Sequence, residues 1–139
     1  FGNQINPEKI VAGINIEMIG KESAFGPNTA WLTGFNRSNF GKIIQKNLKE
    51  TDYQVLPDPY TSFGLFFRSD NASLARLGIP AHTFSTSPMD NDPDYHKVTD
   101  EVNTLDIFTI TETIKAIVIG IESIVDGTDA PSRLIKTNY

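Results

Sequence analysis

The chain has 139 residues, 39% of them hydrophobic, which is the size and composition of one domain able to build its own core. Lys and Arg total 12 against 17 Asp and Glu, a formal net charge of -5 with no basic run, which argues against a nucleic-acid partner. With no cysteine, disulfides, thiolate zinc sites and cysteine nucleophiles are excluded, and no apolar stretch approaches the ~18 residues of a membrane span.

The opening Phe1-Gly2-Asn3-Gln4 has neither an initiator Met nor a signal-peptide pattern, so a processed or excised chain is expected. Asn6-Pro7-Glu8-Lys9 is a helix-start or turn signal. Ile10 to Gly20 is rich in β-branched residues and predicts a buried strand closed by Gly20. A second strand is expected from Thr29 to Phe35, after the breaker Gly26-Pro27-Asn28. Ser38 stands ready to cap a helix whose apolar stripe is Phe40, Ile43, Ile44 and Leu48, with Lys42, Gln45, Lys46 and Lys49 mostly outside it. Tyr53 to Leu56 predicts a short strand before Pro57-Asp58-Pro59. Ser69 or Asp70 caps a short helix running to Leu77, stopped by Gly78 with Pro80 beyond, and Ala81 to Ser85 predicts another strand.

Thr86 to Thr104, rich in Pro, Asp and Asn, is one long loop. In the last helix Ile107, Ile110, Ile114, Ile117, Ile121 and Ile124 step by 3, 4, 3, 4 and 3, a stripe expected to pack on a sheet. Thr104 or Asp106 caps this helix and Asp126-Gly127 ends it, leaving a polar tail from Thr128 to Tyr139 expected to dock loosely. Strands alternating with helices predict an α/β sandwich, and no linker divides residues 1–139 into two domains.

Only two histidines are available, His82 and His96, so any metal site must lean on carboxylates or on residues outside the chain. Glu17 falls within the first strand, on the face of Asn15 and Ile19 and opposite Ile14, Ile16 and Met18. An isolated buried carboxylate is costly, so an acid there must be paired, hydrogen-bonded or metal-bound. By local pattern alone, a solvated or salt-bridged acid at a strand end is the commoner outcome. His96 sits in Asp94-Tyr95-His96-Lys97-Val98-Thr99-Asp100, where an imidazole beside carboxylates suits a divalent metal, and where an exposed loop histidine is the plainer alternative. His82 follows Ala81 at the start of a buried-looking strand and is expected to be a satisfied core histidine. Asp90, Asp92, Asp94 and Glu101 fall at positions 1, 3, 5 and 12 of a calcium-loop register. Tyr95 occupies the position where the sharp turn needs Gly, and no helix precedes the loop, so an EF-hand-like site is rejected. Asn36-Arg37-Ser38 and Asn71-Ala72-Ser73 match the glycosylation sequon.

Taken in order, three segments resemble the co-catalytic two-zinc aminopeptidases. Asn15-Ile16-Glu17-Met18-Ile19-Gly20 is similar to that family's Asn-x-Asp-Met-Ile-Gly strand end. Arg68-Ser69-Asp70-Asn71, followed by Leu77-Gly78-Ile79-Pro80-Ala81, resembles its Ser-Asp-His segment and Gly-Ile-Pro-Ala strand. Tyr95-His96-Lys97-Val98-Thr99-Asp100 resembles its Tyr-His-x-x-x-Asp motif. Each motif is weak alone, and the ordered set, spread over nearly the whole chain, is fairly specific. The family includes bacterial leucyl aminopeptidases and glutamate carboxypeptidases, and glutaminyl cyclases share its fold.

The resemblance implies a three-layer α/β/α sandwich on a mixed sheet, incomplete in this chain, and a peptide substrate. In the family two zinc ions share five protein ligands, one His and one acid on each ion and an Asp between them, with a Glu as general base. By motif match Glu17 would be the acid on one ion, His96 the histidine on the other, and Tyr95 the donor to the developing oxyanion. Glu17 stands where Asp is usual, one methylene longer, a difference felt at ligand distances near ~2 Å. Asn71 stands where His is frequent, which is expected to alter the site's lining. The family's other ligands and base lie upstream of the strand motif, and neither His-x-Asp nor Glu-Glu occurs in these residues. The chain thus resembles the C-terminal portion of a zinc exopeptidase, inactive by itself, with secretion or a periplasmic location as the family-level expectation. An unpaired sheet edge is expected to favour self-association. The rival readings are a metal-free binding domain of the same fold and a glutaminyl-cyclase-like acyltransferase.

Overall fold

The computed structural model describes residues 5–134. Phe1–Gln4 and the last five residues of the polar tail lie outside the described residues. Four strands, β1 (Gly13–Ile16), β2 (Thr29–Leu32), β3 (Gln54–Pro57) and β4 (Ala81–Ser85), form one mixed sheet in the order β1-β4-β2-β3. β1 and β4 are parallel, β4 and β2 antiparallel, β2 and β3 parallel. Among the described residues three α-helices accompany the sheet, α1 (Phe40–Asn47), α2 (Ala72–Ala75) and α3 (Ile107–Val125). The parallel pair β2 and β3 is joined through α1, the crossover that parallel strands need. This is the expected α/β architecture on a mixed sheet.

β4 is buried along all five of its residues, as expected of a strand with a neighbour on each side and cover on both faces. The β1–β4 register sets Ile14 opposite His82 and Ile16 opposite Phe84, so these four share a face. Phe84, Ala30 and Leu32 pack there with Phe40 and Ile44 of α1 and Ala116, Ile117 and Ile124 of α3. The alternate residues face α2, where the Thr83 hydroxyl donates to Asn71 Oδ1. Among the described residues no helix is long and apolar enough to cross a membrane.

Several elements are shorter than the sequence predicts. The first strand covers four residues, because Met18 turns into the left-handed region at φ 52° and leads the chain off the sheet. The second stops at Leu32, where Gly34 at φ 62° bends the backbone. Ser38 is one residue ahead of the cap position of α1, yet its hydroxyl still accepts the Phe40 N–H at 3.1 Å. At α3 the cap is Asp106, which accepts the Phe108 N–H at 3.0 Å, and Gly127 at φ 84° follows the last turn.

The stripe assigned to α3 needs correction. Of its six isoleucines only Ile117 and Ile124 are buried, and Thr113, Ala116 and Gly120 complete the packed face. Ile107 and Ile114 are exposed, as are Val118 and Val125. Apolar residues also stand exposed on α3, so periodicity alone does not choose its packed face. Small residues choose it: a Cβ on Gly120 would lie 2.9 Å from Ile44 Cγ2, so α1 can approach only there.

The tail is also firmer than expected as far as Leu134. The Leu134 N–H donates to Gly78 O at 3.0 Å, Ser132 and Asn39 exchange hydrogen bonds of 2.7 and 3.1 Å, and Arg133 donates to the Pro7 and Ile10 carbonyls.

Candidate active site

Because β1 and β4 are parallel, their C-terminal ends open on the same side, where open α/β sheets hold ligands. Glu17 follows β1 directly, and its N–H still donates to Phe84 O at 3.2 Å. The left-handed turn at Met18 costs on the order of 1–3 kcal/mol for a residue with a side chain. It is held in place because the Met18 carbonyl accepts the Thr86 and Ser87 N–H groups, each at 3.1 Å, and the Ser85 hydroxyl at 3.0 Å.

The half-buried Glu17 carboxylate accepts Asn15 Nδ2 at 3.1 Å through Oε2 and makes no ion pair among the described residues. Asn15 Nδ2 also donates to Thr83 Oγ1, which donates to Asn71 Oδ1 at 2.9 Å. Asn71 Nδ2 in turn reaches the Phe66 and Ala81 carbonyls, both at 3.1 Å. Asn71 is buried and is not among the residues that border the cleft. Its work is to pin the 66–71 segment to β4.

The segment after Glu17 is tied to the loop that carries His96. Lys21 Nζ donates to Asp94 Oδ2 at 2.8 Å and to Thr104 O at 2.9 Å, and the Asp106 N–H donates to Gly20 O at 2.8 Å. The Lys21 hydrogen bond, seconded by Thr99, holds the Asp94 carboxyl below the usual carboxylate range, and Asp94 raises the Lys21 ammonium in return. His96 is exposed and adopts φ 57°, and the Tyr95 ring stacks on the imidazole with centroids 4.0 Å apart.

Glu17, Tyr95 and His96 border a single cleft of about 480 Å³, together with Met18, Gly20, Lys21, Arg68, Ser87, Asp92, Asp100 and Leu105. A side chamber of about 60 Å³ adjoins it, lined by Trp31, Leu65, Ser69, Ser85 and Met89 and sharing Glu17, Met18, Arg68 and Tyr95 with the cleft. Glu17 and His96 are carboxylate and imidazole, the donor types that suit zinc. Among the described residues no group of three or more metal-binding side chains is assembled. The donor set therefore fits one acid and one histidine of a larger site, and no more than that.

The remaining candidates are structural. His82 is fully buried and stacks on Phe40. A carbonyl can only accept, so Nδ1–H donates to Thr33 O at 2.9 Å and the Ser38 hydroxyl donates to Nε2 at 2.9 Å. Burial lowers the imidazole pKa from its ordinary value, with the Arg37 charge acting in the same direction. Of the two sequons, Asn36 is exposed and Asn71 is buried. Lys21, Trp31 and Arg68 have no role that the sequence by itself reveals. Arg68 lay inside a quoted motif and Lys21 directly after one, whereas Trp31 carried no signal until the fold set it beside Met18.

Residues 2–119 match the model of peptidase family M28. Among solved structures, the aminopeptidase from Aneurinibacillus sp. strain AM-1 is similar at a TM-score of 0.57 and 18% sequence identity, over 96% of this chain and 29% of that one. That likeness shows a shared fold, and this chain spans less than a third of that enzyme's length. A search of curated proteins finds no match. The family match runs through Glu17, Tyr95 and His96 alike, and on its extent the chain belongs to peptidase family M28.

Proposed function

We propose that residues 1–139 are the C-terminal part of the catalytic domain of a zinc-dependent aminopeptidase, and that the whole protein hydrolyses peptide bonds at substrate N-termini. The observation that carries this reading is that Glu17, Tyr95 and His96 border one cleft at the C-terminal ends of parallel strands. Glu17 and His96 would each hold one of two zinc ions, with the other ligands and the general base supplied from outside these residues. Bound zinc would polarise the scissile carbonyl. The chain's own groups position the reactants. Asn15 orients the Glu17 carboxylate, the stacked Tyr95 ring sets the plane of the His96 imidazole, and the Tyr95 hydroxyl is the donor toward the oxyanion.

One acid and one histidine do not make a tight zinc site, so the chain by itself is proposed to be inactive. Among the described residues β1 ends the sheet, and Ile14 and Ile16 on it are exposed, as are Ile107, Ile114 and Val118 on α3. This edge is the proposed contact for the rest of the domain, or for a second copy in its absence. Secretion or a periplasmic location belongs to the same proposal.

The test is hydrolysis of leucyl-p-nitroanilide by the longer protein that contains this chain, with zinc content measured in parallel. His96→Ala should lower both kcat and bound zinc. Wild-type kcat/KM in that variant would overturn the assignment.

A further inference from the structure

A line of hydrogen bonds leads from the core to Glu17, and chemistry fixes its direction at both ends. Asn71 is 3% exposed, and its Nδ2 meets the Phe66 and Ala81 carbonyls, each at 3.1 Å. Carbonyls only accept, so both Nδ2 protons are committed and Asn71 Oδ1 is left as the acceptor facing Thr83. Thr83 is fully buried on β4, and its one hydroxyl proton goes to Asn71 Oδ1 at 2.9 Å. Toward its other neighbour Thr83 Oγ1 can then only accept, and Asn15 Nδ2 donates to it at 3.1 Å. The second Nδ2 proton of Asn15 goes to Glu17 Oε2, also at 3.1 Å. A carboxylate only accepts, so the Glu17 end demands the same polarity as the Asn71 end.

Among the described residues the Glu17 carboxylate has this one hydrogen bond and no ion pair. A glutamate side chain turns about three bonds, and a long side chain gives up much rotamer freedom when it is held. A single bond from an amide that could itself turn would hold it poorly. The Asn15 amide cannot turn freely, because the β1–β4 register sets it opposite Thr83 and the Thr83 oxygen takes its other proton. Thr83 in turn is held by an Asn71 that two backbone carbonyls immobilise.

We propose that Thr83 is a positioning residue for peptide hydrolysis: through Asn15 it holds the Glu17 carboxylate in place at the border of the cleft. Thr83 touches neither substrate nor metal, and no proton moves along the line. The proposal rests on the peptidase reading for the zinc ion that Glu17 would hold.

Two readouts on the whole protein test it. The first needs no metal. In the ¹⁵N-labelled, metal-free protein the Asn15 side-chain amide is assigned by its loss in Asn15→Ala. Thr83→Val keeps the volume and drops the hydroxyl, and should move both amide proton resonances toward those of a free amide. Thr83→Ser keeps the hydroxyl and should leave them near wild type. The second readout is zinc affinity, measured by competition with a chelator. Thr83→Val should weaken it by about tenfold, the low end for contacts that orient a metal ligand, and Thr83→Ser should keep it. In an Asn15→Ala background Thr83→Val should cost no further zinc affinity, although it still lowers the urea midpoint. Thr83→Ala serves in the same cycle if the valine variant does not fold. An equal zinc loss in both backgrounds, or a loss with serine as large as with valine, would make Thr83 merely structural and overturn the proposal. So would an Asn15 amide that Thr83→Val leaves in place. Leucyl-p-nitroanilide hydrolysis is followed alongside. A wild-type protein that neither binds zinc nor hydrolyses the substrate sinks the peptidase reading, whereas zinc affinity and hydrolysis unchanged by Thr83→Val sink the role of Thr83 alone.

Discussion

Lys21 and Asp94 join the two halves of the cleft through one contact, Nζ to Oδ2 at 2.8 Å, with both side chains mostly covered. Lys21 lies four residues after Glu17, and Asp94 lies two before His96. The spacing of the carboxylate strand end and the histidine loop is therefore set by an ion pair that also reaches the Thr104 carbonyl.

Breaking that latch should loosen the loop while leaving the sheet alone. In Lys21→Met, hydrogen exchange should speed up at Lys97 and Asp100, whose N–H groups bond within the loop, and stay unchanged in β4. Asp94 is held below its ordinary 3.8, so the latch contributes fully above that pH and is lost as pH falls through the depressed folded value. The acid-induced loosening seen by exchange in the wild type should be missing in the variant.

His82 makes the core sensitive to mild acid. Its folded pKa lies below the unfolded 6.5, so the unfolded chain takes up the proton first. Stability should hold above about pH 6.5 and decline as pH falls toward the depressed folded value, read as a falling urea midpoint. His82→Leu should flatten that decline. It should also cost about 1–3 kcal/mol at neutral pH, since the Thr33 carbonyl and Ser38 hydroxyl lose their partner.

Asn71 should matter to folding more than to chemistry. Asn71→Ala leaves the buried Phe66 and Ala81 carbonyls without this donor and should cost about 2–4 kcal/mol in chemical denaturation. An unchanged midpoint would show that these carbonyls find other donors.

The α1–α3 contact depends on the missing side chain at Gly120. Asn47 Nδ2 donates to the Gly120 carbonyl at 2.7 Å, and any Cβ there presses on Ile44. Gly120→Val should destabilise by about 1–3 kcal/mol through overpacking, visible as a lower Tm, and Ile44→Ala in the same chain should recover part of the loss.

The outer face of α3 should drive association of the isolated chain. Val118 is 60% and Val125 76% exposed on α3. Replacing both with Lys should shift sedimentation toward monomer, and an unchanged distribution would place the contact elsewhere.

Much of the chain's local structure follows from short-range signals. β4 matches the limits expected of it, Asp106 caps α3 as its position before the apolar run requires, and the ordered motifs around Glu17, Asn71 and His96 identified the family. Those signals act over a few residues, through backbone preference and capping, and survive without knowledge of the fold. What they could not decide depends on partners distant in sequence. The packed face of α3 was chosen by Gly120 and Ile44, 76 residues apart, because close approach overrides isoleucine periodicity. Asn71 was drawn inward by the Phe66 and Ala81 carbonyls, since a buried amide goes where unmet acceptors are. The cleft itself exists because parallel pairing of β1 with β4 brings Glu17 beside Ser87, while a lysine too ordinary to attract notice draws in the loop of His96.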